Sequence, residues 1–292
     1  MQLMIFGAGY SGKAIGQLFA SSGQTVFGTT RSHDKFQHLE KAGLTPLLFD
    51  GDVLTDDLRG ALAQTTHLVQ SIAPGRSGDP LIPLLAADLA PLMPRLEWIG
   101  YLSTVGVYGN HDGAWVDEET ACQPQSQRSV ERVEAERDWA SLAKDNGIPL
   151  AILRLSGIYG PGRNGFVNLS KGTAKRLIKE GQVFNRIRVE DIAAATRFLM
   201  AGNLAGIFNV TDDEPAPPQT VVEEASRLMG LAPPPEQDFE SAELSPMARS
   251  FYGENKRVSN AKIKSLGFSF CFPDYRQSLA ELWANESWNK MP

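Results

Sequence analysis

Apolar residues arrive in short bursts along this 292-residue chain, and the bursts alternate between two periods. Leu3 to Phe6 is a continuous apolar run of strand length, whereas Ala14, Ile15, Leu18 and Phe19 recur at helical spacing. The strand signature returns at Thr25 to Thr29, Thr45 to Phe49, His67 to Ile72, Trp98 to Ser103 and Leu150 to Leu155. Between these runs, Leu54 to Ala63, Leu81 to Met93 and Val130 to Ala143 carry the helical period, followed later by Ile192 to Met200 and a short strand at Ile207 to Val210. Strands that alternate with helices pair in parallel and are covered on both faces, so the pattern predicts an α/β fold with a doubly wound parallel sheet. Prolines around Pro215 to Pro218 and Pro233 to Pro235 punctuate a different, smaller region. The expected division is a core of residues 1–155, to which 186–212 return, and a small C-terminal substrate subdomain built from 156–185 and 213–292.

The first strand and helix are joined by Gly7, Gly9 and Gly12 in the spacing GxGxxG, and a second strand follows at the distance a Rossmann-type dinucleotide site requires. A Cβ at these positions would obstruct the tight turn, the approach of a pyrophosphate, or the packing of helix on strand. The helix start then offers unpaired N–H groups to an anion. NAD-specific sites carry an acid at the end of the second strand for the ribose 2′-hydroxyl. Here that position reads Thr29, Thr30, Arg31, Ser32, with no acid before Asp34. A guanidinium at Arg31, flanked by the hydroxyls of Thr30 and Ser32, suits a 2′-phosphate and favours NADP, with NAD left open. The expected cofactor contacts are Gly7, Gly9, Tyr10, Ser11 and Gly12 in the turn and Thr30, Arg31 and Ser32 after the second strand. Asp50 after the third strand and Ser71, Ile72 and Ala73 after the fourth complete the set.

Composition narrows the class. A 42% hydrophobic content supports a sizeable core, and a formal net charge of −6 gives no general attraction to nucleic acid. The apolar start at Met1 to Phe6 lacks a basic flank and is broken by Gly7, so neither a signal peptide nor a membrane span is expected and a cytoplasmic location is. Cys122 and Cys271 are far apart and lack ligand-like neighbours, which argues against a disulfide framework or a metal site.

Several strings, spread over nearly the whole chain, resemble the extended and atypical short-chain dehydrogenase/reductases, also described as NAD-dependent epimerase/dehydratases. They are GAGYSGKAIG at Gly7 to Gly16, LSTVGVYG at Leu102 to Gly109, RLSGIYGPGR at Arg154 to Arg163, RIRVEDIA at Arg186 to Ala193 and FNVTDDEP at Phe208 to Pro215. The resemblance implies a catalytic hydroxyl at Thr104, beside Ser103, hydrogen-bonding a substrate oxygen. It also implies a Tyr-x-x-x-Lys on the next long helix, with the tyrosine transferring a proton and the lysine holding the ribose. Here the matching positions are Arg128 and Arg132. Arg132 is expected to hold the cofactor, whereas Arg128 cannot donate a proton near neutrality. A literal Tyr-x-x-x-Lys at Tyr252 to Lys256 lies far from that helix and reads as coincidence. Tyr108 and Tyr159 read as loop-shaping residues, and Asp117 to Glu119 as a solvated acidic turn.

Between residues 171 and 188, Lys171, Lys175, Arg176, Lys179, Arg186 and Arg188 face only Glu180. Either a basic surface or a site for an anionic small-molecule substrate, such as a nucleotide sugar, would explain the excess. Arg188 replaces a histidine common in the matching relatives. Two functions follow: an NADP-linked oxidoreductase or epimerase/dehydratase, or a catalytically degenerate NADP-binding sensor. Helices like Val130 to Ala143 pair in many relatives, which leaves a homodimer open.

Overall fold

A computed structural model describes residues 1–86 and 88–290. In chain order the elements are β1 (Gln2–Phe6), α1 (Tyr10–Ala20), β2 (Thr25–Thr30), α2 (Phe36–Lys41), β3 (Thr45–Leu48), α3 (Asp56–Gln64), β4 (His67–Gln70), α4 (Ile82–Leu85), α5 (Leu89–Leu92) and β5 (Trp98–Thr104). They continue with β6 (Trp115–Val116), α6 (Gln127–Asp145), β7 (Leu150–Leu155), β8 (Gly157–Tyr159), α7 (Gly165–Ser170), β9 (Arg176–Ile178), β10 (Arg186–Arg188) and α8 (Val189–Ala201). The last are β11 (Gly206–Val210), α9 (Pro218–Met229), β12 (Glu236–Asp238), α10 (Pro246–Phe251), β13 (Arg257–Val258), α11 (Ala261–Ser265) and α12 (Tyr275–Ala284).

Seven strands form one sheet in the order β11-β7-β5-β4-β1-β2-β3, and β1 pairs in parallel with both β2 and β4. The chain winds outward from β1 to β3, then crosses back to β4. Strand order therefore reverses between β1 and β4, where an open α/β sheet leaves a crevice at its carboxyl edge. Met4, Phe6, Leu62, Leu68, Ile99, Tyr101 and Trp139 belong to one buried cluster over the sheet. Each large side chain so buried stabilises the fold by roughly 1.5–3 kcal/mol.

The chain divides into two compact units. One comprises Met1–Val107, Gln127–Arg154 and Ile192–Phe208, and the other Tyr108–Ser126, Leu155–Asp191 and the chain from Asn209 onward. Residues 108–126, 155, 186–191 and 209–212, read from the sequence as core, thus cluster with the second unit. Three small parallel pairings inside that unit, β8 with β10, β9 with β12 and β6 with β13, had no signal in the apolar pattern because their strands are only two or three residues long. The single helix expected over Leu81 to Met93 is instead two four-residue pieces, α4 and α5, with residue 87 between them outside the described residues. Pro83 and Pro91 explain the break: proline lacks the N–H and fits only the first turn of a helix. Elsewhere capping sets the boundaries. Thr55 accepts from Leu58 N at 3.3 Å and caps α3, which starts at Asp56, two residues after Leu54.

Candidate functional site

The glycine turn shows three different reasons for glycine. Gly7 has φ +80°, and a Cβ there would lie 2.8 Å from Ile72 Cγ1. At Gly12 a Cβ would lie 2.7 Å from the Gly7 carbonyl oxygen, so this glycine lets α1 close onto β1. Gly9 is different: its nearest neighbour would be the Gly7 oxygen at 4.0 Å, and nothing in the protein requires the missing side chain. The space above Gly9 suits a ligand that must approach the backbone. Thr29 pins the turn to β2. Its hydroxyl accepts from Gly7 N at 2.9 Å and its carbonyl from Ala8 N at 2.9 Å.

Gly7 and Gly9 open into a cavity of about 420 Å³ at the carboxyl ends of β1, β2 and β4. Of the residues expected to hold a cofactor, Gly7, Gly9, Thr30, Arg31, Asp50, Ile72 and Ala73 line it. Tyr10, Ser11, Gly12, Ser32 and Ser71 do not. Ser11 is buried in α1, and the Ser71 backbone is tied to the Phe6 carbonyl at 2.9 Å. The cavity also takes in Lys35, which sequence reasoning did not single out. A short 3-10 turn over His33–Lys35 follows Ser32 and returns this second cation to the wall that carries Arg31. An open glycine backbone at a helix start and two cations on the cavity wall fit the phosphates of a dinucleotide.

The far wall, Ile72, Ala73 and Pro80, is set by residues that sequence reasoning passed over. Gln70 Nε2 donates to both oxygens of buried Asp79 at 2.8 and 2.9 Å, while its Oε1 accepts from Ile72 N at 3.1 Å. Trp139 Nε1 donates to Asp79 Oδ2 at 3.0 Å and Leu81 N to Oδ1 at 2.9 Å. Both ends of the 71–80 loop are therefore held by one carboxylate, whose pKa burial pushes up despite these donors.

At the end of β5, Thr104 Oγ1 accepts from Gly106 N at 3.1 Å and keeps its own proton free to donate. A Cβ on Gly106 would lie 2.9 Å from Ser129 Oγ and 3.4 Å from Thr104 Oγ1, so a side chain there would crowd both hydroxyls. Ser103, expected beside Thr104 as a second catalytic hydroxyl, is committed elsewhere. It donates to Glu136 in a buried network, and Glu136 Oε2 in turn binds Arg154 Nη2 at 2.7 Å. Alternation along the strand turns Ser103 with Tyr101 toward α6. Arg132 stacks on Tyr101, 5.6 Å from the ring centroid, and donates through Nη1 to the Leu102 carbonyl at 2.7 Å and the Tyr101 hydroxyl at 3.2 Å. Its remaining nitrogens donate to no described residue. Arg128, four residues earlier on α6, is exposed.

In the second unit, Tyr108 packs inside the fold with its hydroxyl donating to Asn209 Oδ1 at 2.7 Å. The acidic turn is only partly solvated, since Glu118 accepts from Asn209 N at 2.8 Å and burial raises its pKa. Tyr252 stacks on Phe239, while Lys256 donates to the Gly109 carbonyl and pairs with Glu254, each at 2.6 Å. Both side chains of this Tyr-x-x-x-Lys thus serve packing.

Residues 86–210 match the model of the NAD-dependent epimerase/dehydratase family. A conserved protein of unknown function from Silicibacter pomeroyi DSS is 44% identical, with a TM-score of 0.88 over 98% of this chain and 99% of that one. Protein YeeZ of Escherichia coli K12 is 28% identical over 290 residues, covering 94% of this chain and 97% of YeeZ. The same fold recurs in Thermus thermophilus UDP-glucose 4-epimerase in complex with NAD, with a TM-score of 0.74, 19% identity and coverage of 96% and 98%. It recurs again in human epimerase family protein SDR39U1 with NADPH, with a TM-score of 0.74, 16% identity and coverage of 98% and 100%. The shared fold agrees with the glycine turn and the sheet order, and residues 86–210 are similar to the NAD-dependent epimerase/dehydratase family.

Proposed function

We propose that this protein binds NADP, in preference to NAD, in the cavity above Gly9 and acts as an oxidoreductase or epimerase/dehydratase-like enzyme on a small anionic substrate. The observation that carries the reading is the pairing of an open Gly9 backbone with two cations, Arg31 and Lys35, on one cavity wall. The start of α1 would take the pyrophosphate, and Arg31 and Lys35 the 2′-phosphate, through charge-assisted hydrogen bonds. Asp50 offers an acceptor at the nucleoside end, and the clamped 71–80 loop closes the other side. When bound, NADP supplies a hydride donor or acceptor. Thr104 donates its hydroxyl proton to a substrate oxygen, and Arg132 offers its free nitrogens to the cofactor ribose.

Arg128 in place of the tyrosine cannot exchange a proton near neutral pH, so the family's usual proton transfer is absent. That residue favours a second reading, an NADP-binding sensor without turnover. Calorimetric titration of the purified protein with NADPH and NADH tests the cofactor. NADPH binding at least ~10-fold tighter, with the preference lost in Arg31→Ala and Lys35→Ala, supports it, since one charged hydrogen bond contributes about 1.5–3 kcal/mol. If neither nucleotide binds, both readings fail. Turnover of NADPH with a panel of carbonyl compounds and nucleotide sugars then separates enzyme from sensor.

A further inference from the structure

The basic stretch of the second unit resolves into used and unused cations. Lys175 Nζ donates to the Glu243 carbonyl at 2.9 Å, Lys179 to the Tyr252 carbonyl, and Arg176 pairs with Glu236 and Glu223. Arg188, which stands at the histidine position of the matching relatives, is buried between Glu190 and Glu281 at 2.7 and 2.8 Å. Lys171 is exposed. Arg186 differs from all of these. It is half-buried, makes no ion pair, and holds only backbone: Nη1 donates to the Phe184 carbonyl at 2.9 Å and the Ala216 carbonyl at 3.2 Å. Those two bonds fix the guanidinium plane. The opposite edge, Nε and Nη2, donates to no described residue, and that edge is the one that grips two oxygens of an oxyanion side by side.

Around Arg186 the charges are arranged to leave it uncompensated. Asp212 is a carboxylate whose charge acts on Arg186, and its backbone N donates to the Arg186 carbonyl at 2.7 Å. It is 1% exposed, its Oδ1 accepts from Glu214 N at 3.3 Å, and its Oδ2 is buried with no partner. Its neighbours point away, Asp213 to Lys264 at 2.9 Å and Glu214 to Arg276. The Tyr159 phenol on β8 feels the Ser278 hydroxyl and Arg188 but makes no hydrogen bond of normal geometry. Tyr252 and Tyr275 are the other titratable groups that act on Arg186. Burial pushes the Asp212 carboxyl up to about 8, only partly opposed by Arg186. At neutral pH the cluster therefore carries a fixed cation beside a largely uncharged acid. A half-buried charge without a counter-charge is costly unless an anion completes it.

We propose that the Nε–Nη2 edge of Arg186 is a binding site for the carboxylate or phosphoryl oxyanion of a small organic ligand, with Asp212 beside it as the positioning residue. The inference uses residues of the second unit alone and does not depend on the cofactor reading.

The test is an NMR titration of the full-length protein, following the Arg186 Nε–H signal, with acetate as the carboxylate probe and sulfate as the tetrahedral one. Both keep constant charge between pH 6.5 and 9. The titrations are repeated in Gly9→Val, which blocks the dinucleotide cavity and removes any sulfate bound there. Saturable binding of either probe at pH 6.5, about tenfold weaker at pH 9 and nearly pH-independent in Asp212→Asn, is the expected result. The probe that binds tells carboxylate from phosphoryl ligands. Arg186→Lys, which keeps the charge and loses the fork, should weaken binding while preserving the fold, read from the backbone amide signals of residues 184–188, which replace the lost Nε–H signal. If neither probe moves the Arg186 signal, or if Asp212→Asn keeps the wild-type pH dependence, the proposal is wrong.

Discussion

Gly9 and Gly12 stand three positions apart and differ in their reasons for being glycine. Gly12→Ala places a methyl 2.7 Å from the Gly7 carbonyl and should destabilise the fold by about 1–3 kcal/mol, read as a lower urea midpoint. Gly9→Val has no protein atom within 4.0 Å of its Cβ position to strike, so it should keep the wild-type melting temperature while abolishing NADPH binding. A drop in stability at Gly9, or intact binding, would remove the argument for a ligand there. Arg31→Ala and Lys35→Ala are each expected to lower NADPH affinity about tenfold or more and to leave NADH unchanged, by calorimetry. Arg31 was legible because it follows the second strand directly. Lys35 was not, because only the 3-10 turn after Ser32 brings it back to the cavity, and no apolar period marks such a turn.

Elements are tied together here by buried polar side chains more specific than the apolar pattern. Ser103 on β5, Glu136 on α6 and Arg154 at the end of β7 form one network, with Arg154 only 3% exposed. Glu136→Ala strips a buried guanidinium of its carboxylate and should cost about 3–5 kcal/mol in urea unfolding, more than Ser103→Ala. The clamp between β4 and the 71–80 loop behaves differently, because it shapes a cavity wall. Asp79→Ala leaves the Trp139 and Leu81 N–H groups unpaired, about 1–3 kcal/mol, and frees Ile72 and Pro80. We expect weaker NADPH binding there on top of the stability loss, whereas Glu136→Ala should leave affinity nearly unchanged in the fraction that folds. Equal effects on affinity would show that the clamp has no separate role. Strand and helix positions were readable from periodicity, but Gln70 and Asp79 were invisible as partners, since their meeting depends on how an irregular loop doubles back.

For the whole molecule, buried Asp212 adds a pH-dependent contribution to stability. Burial raises the Asp212 carboxyl to about 8, so between its unfolded value near 4 and that pH the native state holds a proton that the unfolded chain has released. The stabilisation this gives is complete below about pH 4 and is lost as pH rises through about 8. Asp212→Asn, which cannot ionise, should therefore gain stability relative to wild type with rising pH, by at most about 1.4 kcal/mol per unit, and level off above pH 8. Urea unfolding of both proteins at pH 5, 7 and 9 measures the difference; a constant difference would show that Asp212 titrates normally. No described helix is long and apolar enough to cross a membrane.

The sequence by itself determined the alternation of strands and helices, the glycine turn and the missing tyrosine, because each is written in local spacing and residue type. Strand order, the division into two units, the second cation at Lys35, the loss of Ser103 to a buried network and the unused fork of Arg186 were decided only by the tertiary structure. Each of these depends on which distant residue comes within about 3 Å of a donor or acceptor, and hydrophobic periodicity carries no information about that partner.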